Sequence, residues 1–157
     1  MTQQIIEAEH FALHELLPEN IFEHLTQNGS LWKGWLLFPR STIITIDSLR
    51  KEFGSMFINT YGLSSAIQSQ YGTWGGRGYR DLDLEKKPNY VSLHCSGQAT
   101  DSSFKDVTAQ EARKFILENP EKFPYITCLE CTKKGEEISW LHWDSRSISN
   151  RIYELHI

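Results

Sequence analysis

Residues 90–101, with the sequence YVSLHCSGQATD, constrain the fold of this chain more than any other segment. The segment begins with apolar and β-branched residues, which are typical of a short strand. His94 follows, Gly97 marks a turn, and Asp101 comes seven residues after the histidine. In a helix this spacing separates two side chains by about 10 Å, whereas a strand that doubles back at a glycine brings them together. We therefore expect a turn at Gly97 that places His94 beside Asp101.

A second segment, residues 138–146 with the sequence ISWLHWDSR, alternates as a strand does. The alternation puts His142, Asp144 and Arg146 on one face. Two histidines and one carboxylate, with water in the fourth position, can form a catalytic zinc site. The candidate ligands are His94, Asp101 and His142. The alternative is that both histidines only pack and form hydrogen bonds, as a histidine in a strand usually does, and the spacing alone favours that interpretation over a metal site.

The composition is that of one folded domain. The chain has 157 residues, of which 39% are hydrophobic and 12% aromatic, and this length suits a single core. A net charge of −4 gives no electrostatic reason to expect nucleic acid as a partner. No apolar run is long enough for a membrane span. We expect a single domain over residues 1–157, and the sequence leaves its oligomeric state open.

The N-terminus and the cysteines both bear on the cellular compartment. No basic segment followed by an apolar one begins the chain, so we predict no signal peptide and synthesis in the cytoplasm. Three cysteines, an odd number, do not favour the disulfide framework of a secreted protein. Cys128 and Cys131 form a single C-x-x-C pair, interpreted as small buried or half-buried residues, with a redox or metal role as the alternative. Cys95 is interpreted as a neighbour of the metal.

The order of predicted elements indicates the fold class. Helices are predicted at residues 11–17, 21–25, 41–53 and 108–118, the last of these with a capping box. Strands are predicted at residues 56–59, 125–132, 138–144 and 151–157, and residues 63–87 are predicted to form a long irregular loop. Helices first, then strands with one helix between them, predict an α+β fold with a mainly antiparallel sheet and flanking helices.

Residues 92–101 match the pattern S-x-H-x-x-G-x-A-x-D, and the W-x-H of Trp140 and His142 follows later in the chain. Together they resemble the zinc D-alanyl-D-alanine carboxypeptidase family, which includes phage endolysin peptidases and is similar to the hedgehog signalling domain. Residues 47–50, 53–54, 58–59 and 75–80 resemble the segments that precede the site in that family, so the resemblance extends over nearly the whole chain.

The resemblance implies a zinc peptidase of hedgehog-like fold that hydrolyses peptidoglycan stem peptides, as a carboxypeptidase or an endopeptidase. It implies zinc held by His94, Asp101 and His142. It also implies substrate binding by Ser92 and by Arg80, the arginine of G-x-R, because a guanidinium can hold a carboxylate in a bidentate fork. The alternative for Arg80 is an ordinary solvated loop charge. A phage or prophage product acting on the cell wall is the implied biological setting.

Such an enzyme needs a base for the proton of the zinc-activated water. Many members of the family carry a glutamate three residues before the last histidine, where this chain has Ser139, which cannot accept the proton. Asp144, on the strand face of His142, and Glu130, on the preceding strand, are equal candidates, and Glu137 is the third. The alternative functions are an inactive zinc-stabilised binding or virion module and, third, a cysteine redox protein.

Overall fold

A computed structural model describes residues 5–81, 92–146 and 152–156. Its helices are α1 (Glu19–Gln27), α2 (Arg40–Phe53), α3 (Ser65–Tyr71) and α4 (Ala109–Glu118), with 3₁₀ turns at Leu13–Glu15, Leu31–Leu37, Leu93–Ser96 and Pro120–Lys122. Its strands are β1 (Met56–Phe57), β2 (Ala99–Phe104), β3 (Cys128–Lys133), β4 (Glu136–Asp144) and β5 (Tyr153–His156). The predicted α+β class is confirmed.

The strands form one five-stranded sheet in the order β1-β2-β4-β3-β5. The β1–β2, β2–β4 and β3–β4 pairs are antiparallel, as predicted, whereas β5 runs parallel to β3. The sheet is therefore mixed, although mostly antiparallel. Among the described residues, no helix has both the length and the apolar character needed to cross a bilayer.

Helix α2 forms where the sequence predicts it and supplies much of the core. Ile43, Ile46 and Leu49 recur at helical spacing and are buried. At its end, the Phe53 ring lies 5.3 Å from that of Phe104 on β2. The same ring also contacts aromatic residues of α4 and of the segment after it. These contacts join α2, α4 and the sheet in one apolar cluster.

Helix α4 begins at the predicted capping box and braces β4. The Thr108 side chain accepts from the Glu111 amide, and the Glu111 carboxylate accepts from the Thr108 amide. Opposite this helix the β3–β4 register shifts between Glu130 and Thr132, and such a bulge leaves carbonyl groups without ladder partners. Buried Arg113 donates to the Ile138 and Trp140 carbonyls, at 3.0 Å each. Arg113 of this helix thus supplies hydrogen-bond donors to backbone carbonyls in the bulge.

Three predictions about local structure are wrong, because side-chain hydrogen bonds and burial override the local sequence pattern. Leu93 and His94 lie in a 3₁₀ turn and not in a strand, while residues 90–91 lie outside the described residues. The predicted loop 63–87 contains α3, whose Gln68 amide donates to the Thr60, Tyr61 and Leu63 carbonyls; residues 82–87 lie outside the described part. Residues 11–17 form only a short 3₁₀ turn, with Leu16 and Leu17 fully buried.

The turn at Gly97 is confirmed and generates a stability prediction. Gly97 adopts φ +67°, and a Cβ at this position would lie 2.1 Å from the Leu37 carbonyl oxygen. Gly29 has a similar φ of +61° with no atom near its Cβ position, so it is a matched control. Gly29→Ala should cost about 1–2 kcal/mol for the left-handed conformation alone. Gly97→Ala should cost about 1–3 kcal/mol more for the clash. Equal losses in urea unfolding would contradict the close approach to Leu37.

Candidate metal centre

Three neighbouring elements bring the predicted metal ligands together. Asp101 on β2 pairs directly with His142 on β4, and Glu130 on β3 pairs with His142 from the other side. Directly paired residues project from the same face of a sheet. The left-handed residue Gly97 ends the 3₁₀ turn and sends the chain into β2, so that His94 returns to this face.

The distances suit one cation. The Asp101 Oδ1 atom lies 2.6 Å from His142 Nδ1 and 3.6 Å from His94 Nε2, and all three ligand atoms lie within 4.8 Å of one another. Bonds of about 2.0–2.2 Å in tetrahedral geometry place nitrogen and oxygen ligands of zinc roughly 3.3–3.5 Å apart. The His94–Asp101 pair is close to this separation, and the hydrogen-bonded His142–Asp101 pair must open by less than about 1 Å. The donor set therefore fits zinc in both chemistry and spacing.

The ring of His94 is oriented by a backbone carbonyl. Its Nδ1 donates to the Gly78 carbonyl at 2.8 Å, so in the neutral ring Nε2 carries a lone pair directed at the site. Gly78 itself reaches this position only because it lacks a side chain, since a Cβ there would lie 2.1 Å from the Leu16 carbonyl oxygen. The side chain of His94 is 2% exposed. Its orientation is therefore held by packing as well as by the hydrogen bond.

Asp144 contacts the far side of the His142 ring. Its Oδ2 lies 3.6 Å from His142 Nε2, the nitrogen that faces away from Asp101. Its carboxylate is fully buried and accepts from the Arg146 amide at 3.1 Å and from Arg146 Nε at 2.8 Å. Burial opposes the charge, but these bonds from His142 and Arg146 lower the pKa of Asp144. The arrangement suits a carboxylate that orients a ligating histidine better than one that takes up a proton.

The other two candidate bases lie in different places. The Oε2 atom of Glu130 is 3.9 Å from His142 Nδ1, on the side of the ring that faces Asp101. Glu137 and Ser139 instead line a pocket at the start of α4. Of Glu130 and Glu137, Glu130 is therefore the carboxylate that lies beside the candidate ligands.

Both predicted substrate-binding residues lie beside the ligands. Arg80 Nη2 donates to Asp101 Oδ2 at 2.6 Å, Arg80 Nε donates to the Gly76 carbonyl, and the side chain is 42% exposed. The Ser92 hydroxyl accepts from the His94 amide at 3.3 Å and so begins the 3₁₀ turn. Arg80 is thus partly engaged in holding Asp101.

Sequence reasoning missed the role of Arg77. Its carbonyl accepts from the Asp101 amide at 2.8 Å, and its buried guanidinium donates to Ser103 Oγ at 2.9 Å and stacks over the Trp74 ring. Residues 75–80 therefore form an inner layer that supports both Asp101 and His94. The glycines around Arg77 were the available signal, because they allow backbone to approach backbone closely.

Without metal the site holds opposite charges. For Asp101, burial opposes ionisation, but the hydrogen bond from His142 and the nearby ring of His94 hold the pKa of Asp101 well below its usual range. For His142, burial favours the neutral ring, but hydrogen bonds to Asp101 and Asp144 raise the pKa to about 9. A raised pKa of His142 favours a charged ring beside the Asp101 carboxylate.

The cysteines show no sign of redox activation. Cys128 is buried and Cys131 half-buried, as predicted, and all three cysteines of the chain are free. Burial first, and then the nearby carboxylates of Asp144 and Glu154 respectively, raise the pKa of both thiols to about 11. Reactive cysteines have lowered pKa values, so this environment does not favour a redox function.

Comparison with known protein families gave no match for this chain, and neither curated proteins nor solved structures gave one.

The pKa of His142 predicts how the stability of the metal-free protein depends on pH. The pKa of His142 is 6.5 in the unfolded chain and about 9 in the folded protein. A group whose pKa is raised by folding stabilises the protein fully below its unfolded pKa, and this stabilisation is lost as the pH rises through the folded pKa. Chelator-treated wild type should therefore lose more stability than His142→Gln between these two pH values. Urea unfolding midpoints over this range measure the difference. Parallel pH profiles for the two proteins would exclude a charged His142 in the folded state.

Proposed function

We propose that this protein is a zinc-dependent peptidase that hydrolyses peptide bonds of peptidoglycan stem peptides. One observation carries the proposal: His94, Asp101 and His142 each place one ligand atom within 4.8 Å of the others. The choice of substrate depends on the resemblance of residues 92–101 and of the W-x-H at Trp140 to D-alanyl-D-alanine carboxypeptidases and phage endolysin peptidases. A phage or prophage origin belongs to the same proposal.

The residues around the ligands have separate tasks in this proposal. Zinc, when bound, supplies polarisation of the scissile carbonyl and a more acidic water. Glu130 would serve as the general base and then as the proton donor to the leaving amine, because its carboxylate lies on the side of His142 that faces Asp101. Asp144, held by Arg146, keeps the other nitrogen of His142 oriented.

Arg80 belongs at the edge of the proposed substrate site. A guanidinium has five N–H donors, and two of them engage Asp101 and Gly76 within the described residues. Its exposed fraction of 42% lets it meet a substrate carboxylate while it still contacts Asp101. Arg80 would then link substrate recognition to the position of a zinc ligand.

The second candidate function is a zinc-stabilised binding or virion module without hydrolysis. The limited exposure of the ligands favours it, since the side chains of His94, Asp101 and His142 are 2%, 11% and 13% exposed. Ser139, which occupies the position of the usual glutamate, also favours it. Structural zinc sites are closed, whereas catalytic ones keep an open position.

The metal content of the purified protein tests the proposed ligands. Tag-free protein purified without chelator should contain zinc bound at the three ligands. His94→Ala and His142→Ala should each lose that zinc. Wild type should melt at a lower temperature after chelation, because the ligands join separate segments of the chain. Elemental analysis and thermal unfolding measure these effects. A zinc-free wild type, or unchanged zinc bound by both variants, would refute the assignment.

Two nearly isosteric variants separate the roles of the carboxylates. Glu130→Gln should lower the rate of cleavage of peptidoglycan fragments by about 10²–10⁴-fold while it keeps its zinc. Asp144→Asn should mainly weaken zinc binding, by about 10–100-fold, and recover activity in excess zinc. New amino groups, detected by mass spectrometry, measure cleavage.

Each other outcome has a distinct meaning. If Asp144→Asn loses cleavage but keeps its zinc, and Glu130→Gln mainly loses zinc, Asp144 is the base. If both variants keep full activity, Glu137 is the remaining candidate. A zinc-loaded wild type that binds wall material without cleaving any fragment would identify the binding module.

A further inference from the structure

A second group of metal-ligating side chains lies where β5 joins the sheet. Cys131 on β3 and Glu154 and His156 on β5 each place one ligand atom within 4.8 Å of the others. None of these residues takes part in the site formed by His94, Asp101 and His142. Their types, a thiol, a carboxylate and an imidazole, are all established ligands of zinc.

The strand geometry explains why the three side chains meet. Strands β3 and β5 run parallel, with Leu129 opposite Glu154 and Thr132 opposite His156. Glu154 and His156 are two residues apart, so both project from one face of β5. The register shift between Glu130 and Thr132 leaves Cys131 between the paired positions, where its Sγ lies 3.6 Å from Glu154 Oε2.

The sulfur–oxygen distance matches that between two ligands of one tetrahedral ion. A Zn–S bond of about 2.3 Å and a Zn–O bond of about 2.0–2.2 Å place sulfur and oxygen roughly 3.5–3.7 Å apart. The observed Sγ–Oε2 separation of 3.6 Å lies within that range. His156 Nδ1 is within 3.0 Å of Thr132 Oγ1, a contact that orients the ring and leaves Nε2 for a cation.

The surroundings leave room for a fourth ligand. The three residues line one pocket together with α4 residues such as Lys114 and with Glu137 of β4. Lys114 Nζ lies 3.9 Å from Glu118 Oε1, so its charge is partly balanced within the helix. Arg113 is engaged by the carbonyls of the β4 bulge. Water can therefore complete a tetrahedral set.

We propose that Cys131, Glu154 and His156 bind one divalent transition-metal ion of the borderline-to-soft class to which zinc belongs. A coordinating thiol is deprotonated by the metal itself, so a half-buried cysteine is a competent ligand. Because its ligands come from two strands, the ion fastens the edge strand β5 to β3 and stabilises the folded state. The site is independent of the proposed peptidase function.

Cobalt(II) distinguishes this site from the first one, because only a thiolate ligand gives a thiolate-to-cobalt charge-transfer band in the near ultraviolet. Metal-free, reduced, tag-free protein titrated with Co²⁺ should develop that band as one equivalent binds. Cys131→Ser should abolish the band. Glu154→Gln and His156→Ala, at exposed positions, should each weaken the cobalt affinity read from the band by at least about tenfold.

Two controls keep the test specific. Cys95→Ser alters the cysteine next to His94 and should leave the band unchanged. His94→Ala should also keep the band while it loses the other equivalent of metal, so failure of the first site is seen separately. A wild type without the band, or a band that survives Cys131→Ser, would overturn the proposal.

Discussion

The contact between Asp101 and His142 is the interaction on which the rest of this structure depends. It joins β2 to β4 at directly paired positions, and His94, Arg80 and Glu130 are arranged around it. Both partners are poorly exposed, so each carries a desolvation cost that the other must offset. Removing either one leaves the other with a weaker set of partners, Arg80 for Asp101 and the carboxylates of Asp144 and Glu130 for His142.

The layers behind this pair account for much of the unusual sequence around it. Gly78 and Arg77 offer carbonyls to His94 and to the Asp101 amide, and Arg146 holds Asp144 against the far side of the His142 ring. Ordering a freely rotating side chain on binding costs free energy. These rings and carboxylates are already ordered by their hydrogen bonds, so that cost is smaller here.

Residue types and local patterns predicted helix α2, the capping box of α4, the turn at Gly97 and the grouping of three ligands. They did not predict α3 or the 3₁₀ turn at His94, because side-chain hydrogen bonds decide those conformations. The Gln68 amide donates to the Thr60 carbonyl, and the Ser92 hydroxyl accepts from the His94 amide. Nor did the local patterns separate Asp144 from Glu130. Both are acids near one histidine in a sheet, and only the coordinates tell which ring nitrogen each one faces.

Strand β4 lies at the centre of the sheet, so the backbone of the sheet sets the distances between the site residues. Its neighbours on either side supply Asp101 and Glu130, and adjacent strands lie about 4.8 Å apart whatever side chains they carry. The spacing between ligand and acid is thus a property of the backbone ladder. A single replacement at position 130 can therefore add or remove an acidic group without moving His142 or Asp101, because the backbone and not the side chain sets their separation.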